Sequence, residues 1–268
     1  MEERRPALVL QDFRRTSLHP LIAPAIRRIF AREEGVSHRV TRRLALAALA
    51  ALGGAREASA EAAREKAKFA LETPEGVISN FAIPPELAPA DLPGVLVTGA
   101  AKTGPVLYEF FDYACPYCRL ASQEVDLLLG PDSGMRLGLL HHPVLGEGSA
   151  QAARAVLATK TLFGDDAALR LHTRLFETPG RVGADKVVAL AAALDLDAAR
   201  LNTEADGAET RAILDAHAGR ARVLGLTRTP SFVLGDYAFV GWPGPEAVQA
   251  FVAAVQRCGG LACPEATR

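Results

Sequence analysis

From Val106 to Phe111 the chain reads Val-Leu-Tyr-Glu-Phe-Phe, an apolar run holding a single acid, and its length and aromatic content predict a strand. A helix-compatible stretch follows over Cys115–Leu129, then a second strand over Met135–Leu140 that ends at His141-His142-Pro143. Two strands joined by a helical crossover form a parallel pair. From Ser149 to about Leu226 the apolar positions change to helical spacing, with Ala152, Val156 and Leu157, and later Val187, Val188, Leu190 and Leu194. Breaks at Gly164, Pro179–Gly183 and Asp195–Asp197 divide this stretch into four or five helices with essentially no strand. Strand character returns at Ser231–Leu234 and Tyr237–Val240, joined by Gly235-Asp236 as a two-residue hairpin turn. A last helix is predicted from Pro245 to Gln256. The order βαβ, helices, ββα makes this an α/β protein whose sheet is interrupted by an all-helical insertion, about 149–226. There is no internal repeat or low-complexity tract.

Upstream of this pattern, Glu61–Leu71 is helix-prone and Thr73-Pro74-Glu75-Gly76 ends it. Residues 77–103 carry Pro84-Pro85 and Pro89 and read as a loop or arm. Further back, Arg42-Arg43 precede an apolar run, Leu44–Ala55, too short for a membrane span of about 20 residues. Its position fits the apolar core of a secretory signal, with Ala58-Ser59-Ala60 as the small-x-small cleavage site; the alternative is a buried Ala/Leu helix. The 43 residues before the run are long for a signal's charged region, which suggests translation from a later codon, Val36 or Val40. N-terminal sequencing of the mature protein tests this, and a chain still carrying residues 1–30 excludes it. The twin-arginine route is a poor match to the residues after Arg42-Arg43. The resulting division is a signal-bearing extension over 1–60, a helix and arm over 61–103, a main domain over 104–257 and a tail over 258–268.

Composition adds a constraint on partners. Of 268 residues 49% are hydrophobic and 23% charged, with a net charge of −1, as in ordinary soluble globular chains. Residues 1–43 hold ten Arg, no Lys and five acids, so the remaining 225 are acidic on balance. No cluster of Lys and Arg marks the folded part, which argues against nucleic-acid binding.

The chemistry lies in Cys115-Pro116-Tyr117-Cys118, at the junction of the first strand and its helix. A helix N-terminus offers unpaired N–H groups and partial positive charge, which stabilise a thiolate at Cys115. The thiolate attacks a disulfide, and Cys118 is close enough to resolve the mixed disulfide that forms. A purely structural bond across so small a loop stabilises little. Cys258 and Cys263 flank Gly259-Gly260-Leu261-Ala262; they read as a small structural disulfide, or as a second redox pair. An even count of four cysteines in an exported chain favours disulfides over metal. The two pairs also lie about 140 residues apart, against 15–20 in a zinc ribbon. No metal or other cofactor is expected.

Phe110–Cys118 resembles the active-site segment of the DsbA-like thiol:disulfide oxidoreductases, and Thr229-Pro230-Ser231-Phe232-Val233-Leu234-Gly235 resembles the segment carrying their cis-proline. Pro143-Val144-Leu145-Gly146, followed by Ser149 and an Ala-rich helix, is also similar. The resemblance covers roughly 104–257 and implies a thioredoxin fold with a helical insertion between its halves. It implies that Cys115 is the exposed attacking thiol, Cys118 the buried resolving thiol, and Thr229-Pro230 a cis bond beside them, with the Thr229 backbone pairing with an extended client. Pro116 suits the first helical turn, and Tyr117 and Trp242 line an apolar substrate surface or simply pack. Relatives often carry a buried acid where Glu109 stands, able to exchange a proton with Cys118; the alternative is an acid pointing out of an edge strand. The chain departs from the family in having Arg228 where Gly usually precedes Thr-Pro, and Tyr117 where the most oxidising relatives have His. His141 and His142 read as surface histidines at a strand end.

The resemblance implies an enzyme that oxidises client thiols outside the cytosol, in the periplasm or a similar compartment, after cleavage near Ala60. Isomerase or reductase action is the alternative. Its partners are client proteins with thiols or disulfides and a membrane protein that recycles the active-site pair. Two readings of other classes are a glutathione-dependent, glutaredoxin-like enzyme and a non-catalytic binding module.

Overall fold

A strand that sequence reading missed, Gly76–Ala82, extends the sheet. The computed structural model describes residues 71–73 and 76–260, all within one folding unit, Glu57–Arg268. Strands β1 (Leu71–Thr73) and β2 (Gly76–Ala82) pair antiparallel, and β2 pairs in turn with β7 (Tyr237–Val240). The stretch 77–103 is therefore not only a loop. Besides β2 it holds two 3-10 turns, Pro85–Leu87 and Pro89–Asp91, and a third strand, β3 (Leu96–Thr98). The signal, its cleavage site and the helix expected from Glu61 lie outside the described residues, apart from Leu71, which opens β1.

The core of the fold follows the predicted order closely. Strand β4 (Val106–Phe111) leads through helix α1 (Pro116–Asp126) to β5 (Arg136–His141), parallel to β4. Five helices form the insertion: α2 (Glu147–Phe163), α3 (Asp165–Glu177), α4 (Ala184–Ala193), α5 (Ala198–Ala205) and α6 (Ala208–Leu224). The hairpin β6 (Ser231–Leu234) and β7 and the helix α7 (Pro245–Cys258) complete the chain's ββα half. The sheet order is β1-β2-β7-β6-β4-β5-β3, which places β4 in the interior between β6 and β5. This is a mixed α/β thioredoxin-like fold with a helical insertion.

Side-chain alternation divides β4 between two cores. Leu107 and Phe111 join a large cluster with Cys118, Ala121 and Val125 of α1, Leu171 and Phe176 of α3, and Val248 and Val252 of α7. Phe110 joins a smaller cluster on the opposite face with Leu140, Ala221, Leu224 and Val233. In α1 the buried residues are Cys118, Ala121 and Val125, one stripe at helical spacing, so packing fixes which face of the helix carries the second cysteine inward.

Candidate active site

Cys115 is the N-cap of α1, in extended conformation at φ −77°, ψ 119°, and the Cys118 backbone N–H donates to its Sγ at 3.4 Å. Pro116 occupies the first turn, where its missing N–H has no partner to lose. The Thr229–Pro230 peptide is cis, and the Cys115 thiol donates to the Thr229 carbonyl at 3.3 Å. That contact also corrects an expectation: Cys115 is not openly exposed but only 4% accessible, while its neighbours Ala114, Pro116 and Tyr117 are exposed. Cys118 is fully buried.

The two thiols are electrostatically unlike. A hydrogen bond from the Cys118 thiol does most to bring the Cys115 thiol down to about 6, against a raising effect of burial. The Thr229 side chain and the backbone N–H groups of Cys118 and Tyr117 lower it further. Burial pushes the Cys118 thiol far up, helped by its bond to Cys115 and by the Glu109 charge. At pH 7 about nine-tenths of Cys115 is thiolate by this value. Thiolate absorbance near 240 nm in the reduced protein should therefore rise with a midpoint near pH 6 and account for one thiol. A midpoint above 8 contradicts the geometry.

Glu109 lies on interior strand β4, opposite Leu139 on one side and Phe232 on the other, so the edge-strand alternative is excluded. It is 2% exposed, and its Oε1 has no hydrogen-bond partner. It shares the strand face of Leu107 and Phe111, the face that α1 covers. Burial raises its carboxyl to about 8, with further contributions from the charges of Cys115 and Asp126. Cys115 ionises before Glu109, so Glu109 is still neutral when the thiolate forms; the thiolate then holds the carboxyl protonated.

Asp112 was missed by sequence reading. It is buried, and it ties its own turn to the β5–α2 connection and to the first turn of α2: Oδ1 accepts from the Ala114 N–H at 2.7 Å and from the Ser149 hydroxyl, and Oδ2 from the Leu145 N–H at 2.8 Å. The turn holding Cys115 is thereby fastened to the segment between β5 and α2. An acid directly after a strand and three residues before a cysteine was the available signal.

The remaining candidates separate. Tyr117 is 68% exposed and Leu120, Val144 and Leu145 are about half exposed, so an apolar rim runs along the start of α1 and the β5–α2 connection that Asp112 fastens to it. Trp242 is not part of that rim: its ring packs 5.5 Å from Phe232 and its N–H donates to Glu124. His141 and His142 are not surface residues but are 0% and 8% exposed; Phe111, Tyr113 and His217 surround His141, and His142 Nε2 contacts the Leu226 carbonyl at 3.0 Å. The helical insertion covers this strand end, which the sequence pattern could not show. Cys258 closes α7 and is disulfide-bonded, whereas Cys263 lies outside the described residues. Arg228 is exposed beside the cis bond.

Comparison with known proteins agrees with this geometry. A solved thioredoxin-like oxidoreductase from Silicibacter pomeroyi DSS-3 is 33% identical, covering 62% of this chain and 94% of its own, with a TM-score of 0.58. The catalytic domain of Proteus mirabilis ScsC is 22% identical over 63% of this chain and 93% of its own, with a TM-score of 0.57. The thiol-disulfide exchange protein alpha-DsbA2 from Wolbachia pipientis is 20% identical over 59% and 86%, with a TM-score of 0.55. No curated protein sequence matches. The family model for the DSBA-like thioredoxin domain matches residues 106–256, a span that takes in both thiols, the helical insertion and the cis-proline. The chain thus belongs to the DSBA-like thioredoxin domain family and is a thiol–disulfide oxidoreductase.

Proposed function

We propose that this protein oxidises client thiols in an extracytoplasmic compartment. The observation that carries the reading is the unlike setting of the two thiols: Cys115 caps α1 and accepts from the Cys118 N–H, which favours its thiolate, whereas Cys118 is fully buried, which disfavours its own. A client thiolate attacks Cys115 of the disulfide form, and Cys118 leaves and takes a proton. A second client thiolate then attacks the client sulfur of the mixed disulfide, expelling Cys115 as a stable thiolate. Stabilising that thiolate stabilises the reduced enzyme, and so makes the disulfide form more oxidising, by about 30 mV per pKa unit. Titration against glutathione should give a potential between about −120 and −200 mV; a value near −270 mV is that of a reductase and overturns the oxidase reading.

Glu109 is assigned as the proton donor to Cys118. It is buried, lacks a partner at Oε1 and holds its proton up to about pH 8. Glu109→Gln should lower the rate of client oxidation at pH 7 about a hundredfold. The ratio of wild-type to variant rates should fall toward one as pH rises past the raised value that burial gives the carboxyl, because it ionises there and stops donating. A ratio independent of pH removes Glu109 from the mechanism.

Clients are held by backbone pairing with Thr229 beside Pro230 and by the apolar rim that includes Pro116 and Tyr117. A membrane protein reoxidises the pair. The export-signal pattern over residues 42–60 supports the location, as does the likeness to a periplasmic thioredoxin-like protein from Salmonella enterica. The bond at Cys258, with the two other described cysteines free, supports reading Cys258 and Cys263 as one structural disulfide.

A further inference from the structure

A cleft of about 390 Å³ opens beside the active-site turn, with Tyr113 and Ala114 in one wall and the first turn of α2 in another. Ala114 immediately precedes the reactive cysteine, so a group bound here lies next to a substrate attached to Cys115. The charged residues of its lining are Arg119, Arg181 and Glu147. Glu147 is already paired with Arg154 at 2.8 Å. The guanidinium groups of Arg119 and Arg181 have no hydrogen bond or ion pair among the described residues. Lys186 adds a third cation close enough to Arg119 for the two charges to oppose each other.

The loop carrying Arg181 is held in place. Lys186 Nζ donates to the Thr178 and Gly180 carbonyls at 2.6 and 3.1 Å, and the Ala184 N–H donates to Gln151 of α2 at 3.0 Å. Gly148 permits the closest contact, since a Cβ there would sit 2.3 Å from the Val182 carbonyl. Two guanidinium groups with no acidic partner among the described residues, lining a cleft next to a reactive thiol, give that cleft a positive potential that attracts an anionic ligand.

We infer that this cleft is a substrate subsite, in which Arg119 and Arg181 bind a carboxylate carried by the thiol-bearing peptide that reacts at Cys115. The inference rests on the thiol-exchange reading above. In the step concerned, the peptide thiolate attacks Sγ of Cys115 in the Cys115–Cys118 disulfide. The peptide–Cys115 bond forms as the intramolecular bond breaks, the peptide sulfur is oxidised, and the Cys118 sulfur leaves with the electron pair. The carboxylate takes no part in the bond changes; it increases the residence of the peptide beside the disulfide.

The test is the rate at which oxidised protein reacts with short cysteine peptides that differ only in a flanking residue, Glu, Gln or Lys, with glutathione as a further arm. The Glu peptide should react about three- to tenfold faster than the Gln peptide at low salt, and the ratio should shrink as ionic strength rises past about 0.5 M. In Arg119→Gln/Arg181→Gln the Glu-to-Gln ratio should fall to about one, and Arg181→Glu should reverse the preference toward the Lys peptide. If glutathione slows in proportion to the Glu peptide, the subsite accepts any carboxylate-bearing thiol; if only the Glu peptide slows, it reads acidic residues of proteins. Both outcomes support the inference. A ratio near one in the wild type, or one that survives the double substitution, overturns it while leaving thiol exchange intact. Failure to react with every thiol overturns the exchange reading and this one with it.

Discussion

Cys115→Ser abolishes disulfide exchange, reducing turnover with any dithiol client to the uncatalysed rate. The hydroxyl of serine is not ionised near neutral pH, so the attacking and leaving group is lost together. Cys118→Ser behaves differently: Cys115 still attacks, nothing resolves the product, and a mixed disulfide accumulates as a slower band in a non-reducing gel. The hydrogen bond from Cys118 is also the largest influence lowering the Cys115 thiol. Cys118→Ala should therefore raise the thiolate midpoint from about 6 back toward the ordinary range near 9, whereas Cys118→Ser, which keeps a donor, should raise it less. Midpoints that stay near 6 in both variants would assign the low value to the α1 terminus alone. Turnover surviving in Cys115→Ser would place the nucleophile elsewhere.

Acid should unfold the protein steeply, because three histidines are buried in neutral form. His172 is lowered to about 3 and His217 to about 4, chiefly by burial; His141 is lowered well below its ordinary value by burial and by the charges of His217 and His172. Neither ring nitrogen of His141 has a hydrogen-bond partner, Tyr113 contacts His172 Nδ1 at 3.0 Å, and His217 bridges the His141 backbone N–H and the Pro93 carbonyl. A depressed histidine leaves stability intact above its unfolded value of about 6.5, and stability is lost as pH falls toward the folded value. At pH 5 His172 and His217 each cost about 2 kcal/mol, and His141 acts in the same direction, which is a large share of the stability of an ordinary domain. Denaturant unfolding at pH 7, 6 and 5 should show this fall. His141→Phe, which suits the aromatic contacts around it, should reduce the slope by about one proton; an unchanged slope means that His141 is not the group taking it up.

The placement of Cys115 and Cys118 where a strand gives way to a helix was legible because its signal is local. Two cysteines at a strand–helix junction keep their meaning wherever the sheet lies, and the apolar runs of β4, β5, β6 and β7 were visible to within a residue. Position in the sheet was not legible. Whether Glu109 sits on an edge or inside depends on β5 and β6 pairing on either side, and their partners lie far along the chain. The same holds for His141, whose cover comes from helices that no local pattern places. Strands β2 and β3 were obscured by the prolines and glycines around them, although Val77-Ile78 and Leu96-Val97-Thr98 are ordinary strand sequence. Asp112 escaped notice because its partners, Leu145 and Ser149, are separated from it by a whole strand and helix.

The pairing of β2 with β7 couples the two ends of the described chain, Ser79 lying opposite Val240. A ribosome or translocation pore delivers residues in order, so β2 emerges long before the strand that completes it. Until β7 arrives, one side of β2 offers unpaired N–H and C=O groups to any passing strand. Folding must also close a loop that encloses most of the domain, which slows it. The vulnerable period of this molecule thus comes during its own synthesis and delivery, when a holding chaperone or fast chain release will do more for its yield than added stability in the finished fold.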